Sequence, residues 1–180
     1  MRYLITSDLH GAPAPMEQIL RFYDAHQYDA LLLLGDILYY GPRNCVPDGM
    51  DCRRLTELLN RRADDIIAVR GNCDAEVDQM LLQFDIMADY AVVCDEGRRF
   101  FLTHGHHYNA KCPPRGNYHA LIHGHTHLQG FTRTADGMLI INPGSPTFPK
   151  GGNPPTFATL SDGMARIHTL DGSIIDSCTL

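Results

Sequence analysis

The chain opens with MRYLITSDLHG (residues 1–11), a short apolar run that ends in two polar residues, Asp8 and His10. Residues 2–7 carry the apolar and β-branched side chains that are typical of a buried strand. A carboxylate and an imidazole directly behind such a strand lie at its carboxyl end, where open α/β sheets place their functional sites. This stretch therefore predicts both the class of the fold and the position of a site.

The first half of the chain repeats this alternation of strand and helix. Each predicted strand is a short apolar run, and each predicted helix carries apolar residues at helical spacing. Strands are predicted at 2–7, 31–34 and 66–69, and helices at 16–26, 53–62 and 75–83. Strands that alternate with helices form βαβ units with right-handed crossovers, so we predict an α/β fold with a parallel sheet in this half.

The second half is richer in short strands, which turn pairs such as Asp-Gly separate from one another. Turn pairs between apolar runs are typical of β-hairpins. Strands are predicted at 91–94, 100–103, 120–123, 131–134, 138–142, 157–160, 165–170 and 173–178. We predict a mixed sandwich of two packed β-sheets with helices outside, in a single domain that spans residues 1–180.

The composition is that of an ordinary globular domain. The chain has 180 residues, of which 44% are hydrophobic and 20% charged, and its formal net charge is −6. A net acidic protein repels a long polyanion, so we expect no long nucleic acid as a partner, although a local positive cleft can still hold one phosphate group. The longest apolar run, residues 30–34, is far shorter than the ~18–20 residues of a membrane span, and the N-terminus lacks the pattern of a signal peptide. We expect no membrane association, a cytoplasmic location and free thiols at the cysteines.

Polar residues follow five of the predicted strands and form a candidate metal site. They are Asp8, His10, Asp36, Asn72, His104, His125 and His127. Because the carboxyl ends of strands in open α/β sheets meet at one crevice, we expect these side chains to lie together. A single Asp or His at a strand end is more often a turn former or a helix cap. Five such endings in one chain are difficult to explain in that way.

Two carboxylates, one amide oxygen and four imidazoles are too many donors for one metal ion. They suit two divalent ions ~3.5–4 Å apart with one carboxylate spanning both, as in two-metal hydrolytic sites. The mixture of oxygen and nitrogen donors favours transition metals, most of all Mn²⁺ and also Ni²⁺, Co²⁺, Zn²⁺ or Fe, over Mg²⁺ and Ca²⁺. The charge of two such ions exceeds that of two carboxylates and a hydroxide, so the centre would attract an anionic phosphate ester.

The order of these motifs resembles that of the calcineurin-like metallophosphoesterase superfamily. The motifs are Asp8-x-His10, Gly35-Asp36, Gly71-Asn72-x-Asp74, His104 and Gly124-His125-x-His127. Other stretches are similar to bacterial phosphodiesterases of the superfamily, namely GPRN (41–44), AVRGNCD (68–74), EVDQMLL (76–82), LTHGH (102–106), NPGS (142–145) and PKGGNP (149–154). The resemblance implies a four-layer α/β/β/α sandwich. It also implies that one metal ion is held by Asp8, His10, Asp36 and His127, and the other by Asp36, Asn72, His104 and His125, with Asp36 bridging.

The resemblance implies a phosphodiesterase that hydrolyses a small phosphodiester. A hydroxide bound to the dinuclear centre would attack phosphorus, and the metal ions would stabilise the developing charge. The residues that we expect to take part in catalysis are Asp36, Asn72, Cys73 and His104. Cys73 departs from the superfamily pattern, because most members have a histidine here that is thought to assist the leaving group. A thiol, with an ordinary pKa of ~8.5, is a weaker donor, so we expect aryl phosphodiesters to be preferred over alkyl esters.

Several residues near these motifs have two interpretations. Asp74 either caps the following helix and orients Asn72, which we favour, or is itself a ligand. Arg43 and Asn44 lie on a loop rich in Gly and Pro and either contact the phosphate or face solvent. His106 either supports the site or is a surface turn residue.

Two other functions remain open. A phosphomonoesterase of the same fold would use the same ligands. A catalytically inert scaffold, such as the retromer subunit that resembles this fold, would bind protein partners, but it predicts lost ligands, whereas all seven positions here keep ligating side chains. Exposed strand edges in the β-rich half need covering, so we also expect a homo-oligomer.

Overall fold

The structure is a computed structural model that describes residues 1–180 and contains two mixed β-sheets. The strands are β1 (Tyr3–Thr6), β2 (Ala30–Leu33), β3 (Ile66–Ala68), β4 (Tyr90–Asp95), β5 (Arg98–Thr103), β6 (Ala120–Ile122), β7 (Gly130–Arg133), β8 (Leu139–Asn142), β9 (Thr156–Ser161), β10 (Met164–Thr169) and β11 (Ile174–Thr179). The helices are α1 (Pro13–His26), α2 (Cys52–Asn60) and α3 (Glu76–Gln79), with a 3₁₀ turn at Ala63–Asp65.

The predicted parallel sheet forms one half of the six-stranded sheet, whose order is β11-β10-β9-β1-β2-β3. Strand β1 pairs in parallel with β2, and β2 pairs in parallel with β3. Strands β9, β10 and β11 extend this sheet in antiparallel pairing beyond β1. The five-stranded sheet has the order β4-β5-β6-β8-β7, with β5, β6 and β8 parallel. The predicted α/β fold with two mixed sheets is therefore confirmed.

Apolar side chains from both sheets share one core. Ile5 and Leu34, on the side of the six-stranded sheet, belong to one buried cluster. The same cluster contains residues on the side of the five-stranded sheet, namely Leu102, Ile122 and Ile141. A second buried cluster lies on the other face of the six-stranded sheet, where α1 and α2 pack. Both faces of the parallel strands are therefore buried, which explains why their sequences are continuous apolar runs.

The fourth layer consists of a loop instead of a helix. Residues 104–119, between β5 and β6, cover the outer face of the five-stranded sheet, where Tyr108 and Tyr118 pack against Phe101 and Leu121. This segment contains the Pro113-Pro114 pair, and proline removes a backbone donor and blocks a helix interior. The loop covers the sheet with aromatic rings where the resemblance implied helices.

Helix α3 is shorter than the predicted 75–83, because the side chain of Gln79 forms hydrogen bonds with the backbone groups that follow the helix. Its Nε2 donates to the carbonyls of Leu82 and Phe84, and its Oε1 accepts from the amide of Ile86. These bonds turn the chain, so that Leu82, Phe84 and Ile86 join the buried cluster under the helices. None of the helices combines the length and the apolar character that crossing a membrane requires.

Candidate metal centre

The ends of five strands, from both sheets, meet at one edge of the sandwich. Asp8 follows β1, and its amide donates to the carbonyl of Gly35 after β2 over 3.0 Å. In the five-stranded sheet, the amide of Gly124 after β6 donates to the carbonyl of His104 after β5 over 2.9 Å. The two sheets are joined by the amide of His125, which donates to Asp8 Oδ2 over 2.9 Å. The predicted convergence of strand ends is therefore present.

The backbone at this edge adopts the left-handed region that non-glycine residues rarely enter. Positive φ angles occur at Asp8 (58°), His10 (48°), Asp36 (53°), His125 (68°) and His127 (60°). Each such residue costs conformational energy, and such residues cluster at functional sites where the surrounding structure holds them. Five of the eight non-glycine residues with positive φ belong to the predicted site.

Three histidines are oriented by backbone carbonyls. Nδ1 of His10 lies 2.9 Å from the carbonyl of Tyr39, and Nδ1 of His127 lies 2.7 Å from that of Phe148. Nδ1 of His104 lies 2.6 Å from the carbonyl of Leu34. A carbonyl can only accept a hydrogen bond, so each Nδ1 must carry the proton. In the neutral ring, the lone pair is then on Nε2, the nitrogen that faces the site.

Around Asp8, the atoms that face the site are acceptors without donors. Nε2 of His10 and Nε2 of His127 lie 3.4 Å apart, and the latter lies 3.3 Å from Asp8 Oδ1. Asp8 is fully buried, yet its Oδ1 has no hydrogen-bond partner. Lone pairs that face one another over such distances repel unless a cation lies between them, and orienting the Nδ1 of a histidine is how metal sites fix their ligands. This donor set fits a metal ion.

The pKa shifts at the site have the same origin. Burial alone would lower the pKa of His104, but its hydrogen bond to Asp36 and the charges of Asp8 and Asp36 raise it to about 9. Burial would raise the pKa of Asp36, but His104 and the amide of Cys73 hold it well below its usual range. The buried carboxylates of Asp8 and Asp36 therefore stay ionised. A positive charge between them and the imidazole rings would stabilise this arrangement.

Asp36 lies at the centre of the arrangement. Its Oδ1 accepts from the amide of Cys73 over 2.7 Å, and its Oδ2 lies 3.4 Å from Nε2 of His104 and 3.8 Å from Nε2 of His10. Three groups of residues each place their donor atoms within 4.8 Å of one another. They are Asp8, His10 and His127; Asp8, Asp36 and His104; and His10, Asp36 and Cys73.

Asn72 and His125 complete the predicted set beside His104. Asn72 Oδ1 lies 3.0 Å from Nε2 of His104, and Nδ1 of His125 lies 3.2 Å from the same nitrogen. Unlike the other histidines, His125 has no carbonyl against either ring nitrogen. The fold thus brings all seven residues that the sequence singled out into one place.

Comparison with known proteins assigns the family. A model described as the calcineurin-like phosphoesterase superfamily domain matches residues 1–162. The chain belongs to this superfamily. The predicted enzyme class, a phosphoric ester hydrolase, is therefore confirmed.

Individual members of the superfamily are similar over nearly the whole chain. Phosphodiesterase YfcE of Escherichia coli strain K12 is 41% identical over 177 residues, which cover 97% of this chain and 96% of YfcE. The solved structure of YfcE superposes with a TM-score of 0.96 at 40% identity and covers 99% of both chains. Vps29 of Entamoeba histolytica, solved with Zn²⁺, has a TM-score of 0.67 at 20% identity over 99% of both chains, which shows a shared fold.

Asp74 of this phosphoesterase does not cap helix α3, as its position in the motif suggested. The residue at the helix start is Ala75, whose amide donates to Asp78. The carboxylate of Asp74 accepts from the amides of Asp36, Ile37 and Gly71 at 2.8, 2.8 and 2.7 Å. Asp74 therefore ties the loop that carries Asp36 to the loop that carries Asn72, a role across strands that sequence order could not indicate.

Cys73 lines the cleft at the position where most of the superfamily has histidine. It is half-buried, and its Sγ accepts a hydrogen bond from Nδ2 of Asn72 over 3.2 Å. Burial and the nearby charge of Asp36 raise the pKa of the thiol to about 12. The free thiol is thus a poor proton donor compared with a histidine.

The site opens into a polar cleft of about 730 Å³. Arg43 and Asn44, on the loop after Asp36, lie in its wall, which favours the interpretation that they contact the phosphate. The Nδ2 of Asn44 donates to the carbonyl of Tyr40, which holds the loop. Lys150 also lines the cleft, and sequence reasoning missed it. Lys150 lies within the stretch PKGGNP (149–154), but its residue type alone did not indicate this role, and its position depends on the hydrogen bond from its amide to the carbonyl of His127.

His106 lies beside His104 and does not line the cleft. Its ring centroid is 5.4 Å from that of His104 and 4.0 Å from that of His107. Burial and the neighbouring ring of His104 lower its pKa to about 4. His106 is therefore a neutral, partly buried ring beside the site rather than a simple surface turn residue.

Proposed function

We propose that this chain is a metal-dependent phosphodiesterase that hydrolyses a small phosphodiester at a dinuclear centre. The observation that carries the proposal is that the Nε2 lone pairs of His10 and His127 face each other and the buried, unpartnered Oδ1 of Asp8 without a donor between them. Such an arrangement is stable only with positive charge inside it.

The ligand sets follow the superfamily pattern. Asp8, His10, Asp36 and His127 would hold one ion, and Asp36, Asn72, His104 and His125 the other. The central position of Asp36, which lies near both His10 and His104, supports its role as the bridge. Nitrogen donors favour transition metals, and Mn²⁺ is the ion that we expect first, with Ni²⁺, Co²⁺, Zn²⁺ or Fe as alternatives.

When bound, the two ions supply a nucleophile derived from water and stabilise the charge that develops on the phosphate. The protein residues fix the geometry in which this happens. The carbonyls of Tyr39, Leu34 and Phe148 orient three imidazoles, and Asp74 ties the loops of Asp36 and Asn72 together. Such preorganisation matters because displacements of ~1 Å can cost ~10²-fold in rate.

The cleft supports a small anionic substrate. Its volume of about 730 Å³ lies within the ~300–1,000 Å³ of typical small-molecule sites. Arg43 and Lys150 line it, and neither forms a salt bridge with a carboxylate of the chain. Two unpaired cations beside a metal centre can contact the phosphate or a further anionic group of the substrate.

The half-buried thiol of Cys73 supports a preference among diesters. A donor that holds its proton as tightly as Cys73 gives little help to a departing alkoxide. The enzyme should therefore favour aryl phosphodiesters, whose leaving groups depart unaided.

A phosphomonoesterase of the same fold is the nearest alternative, because monoesters fit the same cleft and ligands. The similarity to a relative named phosphodiesterase YfcE, 41% identical over 97% of this chain, favours the phosphodiesterase over this alternative. The inert scaffold is disfavoured, since all seven ligand positions are kept and brought together.

The test is hydrolysis of paired aryl diesters and monoesters by the metal-free protein after addition of single metals. We expect chelation to abolish activity, and Mn²⁺, Co²⁺ or Ni²⁺ to restore it better than Mg²⁺, with diesters hydrolysed faster than monoesters. Equal or better activity with Mg²⁺ alone would contradict the ligand assignment. Faster hydrolysis of monoesters would favour the phosphomonoesterase, and no hydrolysis with any metal would favour the scaffold.

A further inference from the structure

Cys73 belongs to a group of potential metal ligands that the superfamily pattern does not contain. Its Sγ, a ring nitrogen of His10 and a carboxylate oxygen of Asp36 all lie within 4.8 Å of one another. The superfamily motif has histidine at this position and does not count it among the ligands. In this chain, the donor at the same place is a sulfur atom.

The distances are close to those of a bound ion. A five-coordinate ion with bonds of ~2.0–2.3 Å separates neighbouring donor atoms by ~2.8–4.0 Å. A contraction of ~1 Å therefore closes the set, and rotation of the short Cys73 side chain supplies it. The backbone of Cys73 is already fixed toward the site, since its amide donates to Asp36 Oδ1 over 2.7 Å.

The surroundings of the sulfur also suit a ligand. Nδ2 of Asn72 donates to Sγ over 3.2 Å, while Oδ1 of Asn72 lies beside Nε2 of His104. The amide of one proposed ligand thus holds the sulfur as outer-shell partners hold metal-bound thiolates. Asp8 Oδ1, fully buried and without a hydrogen-bond partner, is a second sign that a cation belongs between these groups.

We propose that the Cys73 thiolate is a ligand of the metal ion that His10 and Asp36 hold, and that it raises the affinity of this position for Zn²⁺ and Co²⁺ more than its affinity for Mn²⁺. The metal–sulfur bond forms as the thiol proton leaves to solvent. Thiolate is a soft ligand that prefers Zn²⁺ to Mn²⁺, which prefers oxygen. The inference rests on the proposed function for the metal held by His10 and Asp36, and it adds a ligand to that centre.

The test is the absorption spectrum of the metal-free protein titrated with Co²⁺. A cobalt–thiolate bond gives a charge-transfer band in the near ultraviolet, separate from the visible bands that any Co²⁺ site shows. We expect this band in the wild type and its loss in Cys73→Ser and in Cys73→His. Cys45→Ser, which removes an exposed cysteine from the neighbouring loop, is the matched control and should keep the band.

A second measurement compares affinities by competition with a chelator. Loss of an outer-shell partner alone lowers metal affinity by ~10–100-fold, so loss of a direct ligand in Cys73→Ser should lower the Zn²⁺ affinity at least that much. The Mn²⁺ affinity should change less than ~10-fold. Cys73→His, which restores the superfamily residue, should fold and bind Mn²⁺, and it keeps the test valid if Cys73→Ser is unstable.

The outcomes separate this inference from the proposed function. Visible Co²⁺ bands without a thiolate band in the wild type, or a band that survives in Cys73→Ser and Cys73→His, would overturn the Cys73 ligand and leave the metal centre standing. Failure of the wild type to bind Co²⁺ at all would overturn both.

Discussion

At the residue scale, Asp36 is the side chain that lies between the two proposed sets of metal ligands. It lies close to His10 on one side and His104 on the other, and its Oδ1 accepts from the amide of Cys73. In Asp36→Asn, an amide oxygen can still accept this bond, so the variant should fold, but the shared negative charge is lost. We expect turnover to fall further than in His10→Ala or His104→Ala, and metal content, measured by mass spectrometry, to fall from two ions per chain. Near-normal turnover with two ions bound would refute the bridging role.

Arg43 is the residue that we expect to contact the substrate without touching the metals. It lines the cleft and lacks a carboxylate partner. A charge-assisted hydrogen bond to a phosphate contributes ~1.5–3 kcal/mol, so Arg43→Ala should raise KM for an aryl diester by ~10–100-fold. Metal content should stay unchanged. Arg53→Ala, which removes an exposed arginine of α2 outside the cleft, is the control and should keep the KM. An unchanged KM in Arg43→Ala would mean that the substrate does not reach this loop.

At the scale of elements, the loops that follow the parallel strands approach one another too closely for a side chain at Gly71. A Cβ there would overlap the backbone nitrogen and Oδ1 of Asp36. Gly71→Ala should therefore displace Asp36, lower metal content and reduce turnover by ~10²-fold or more. In Gly137→Ala, the Cβ meets no atom within 4 Å but sits at a φ of +90°. This control should lose ~1–2 kcal/mol of stability and keep its metal and its activity. Full metal content in Gly71→Ala would show that the loops can move apart.

The hairpin of β9 and β10 contains a buried titratable group remote from the site. Nε2 of His168 lies 2.9 Å from Thr159 Oγ1, and its Nδ1 lies 3.1 Å from the carbonyl of Gly172. Burial lowers the pKa of His168 below its usual 6.5. Above pH ~6.5 the ring is neutral in both states, and as the pH falls further the unfolded chain takes up the proton first, so stability is lost.

We therefore expect the free energy of unfolding of the metal-free protein, measured in urea, to fall between pH 7 and pH 5. His168→Asn should be less stable at pH 7 and show a smaller fall over this range. His119→Asn, at an exposed position, should keep the slope of the wild type. If the free energy of unfolding of His168→Asn changed with pH as steeply as that of the wild type, a group other than His168 would cause the pH dependence.

At the scale of the whole molecule, one core joins the two sheets, which supports our proposal of a single domain over residues 1–180.

One edge of the six-stranded sheet is β11, where Ile174 and Ile175 remain 57% and 45% exposed. An unpaired edge with apolar side chains favours pairing with another strand. We expect light scattering to give a multiple of the 20.1 kDa chain mass, and Ile175→Lys to reduce it to one chain. Val77→Lys, on exposed α3, should leave the mass unchanged. A 20.1 kDa species in the wild type would refute the homo-oligomer.

The sequence by itself was sufficient for the parts of the molecule in which local pattern and chemistry coincide. Apolar runs that end in Asp8, Asp36 or His104 identified both the strands and the residues of the site, because parallel strands bring the residues behind their carboxyl ends to one edge. The number and type of donors indicated metal chemistry for the same reason. Helix α1 began earlier than predicted, at Pro13, since proline is tolerated in the first turn.

Only the tertiary structure decided the features that depend on distant contacts. Asp74 bonds amides of two loops instead of capping α3, and Lys150 reaches the cleft through a bond to His127, neither of which local sequence encodes. The tautomers of the histidines follow from carbonyls of other loops, such as Tyr39 and Phe148. The placement of Cys73 sulfur beside His10 and Asp36 likewise arises from the packing of three strand ends. Such contacts join residues far apart in the chain, and their energies depend on distance and burial, which the order of residues does not specify.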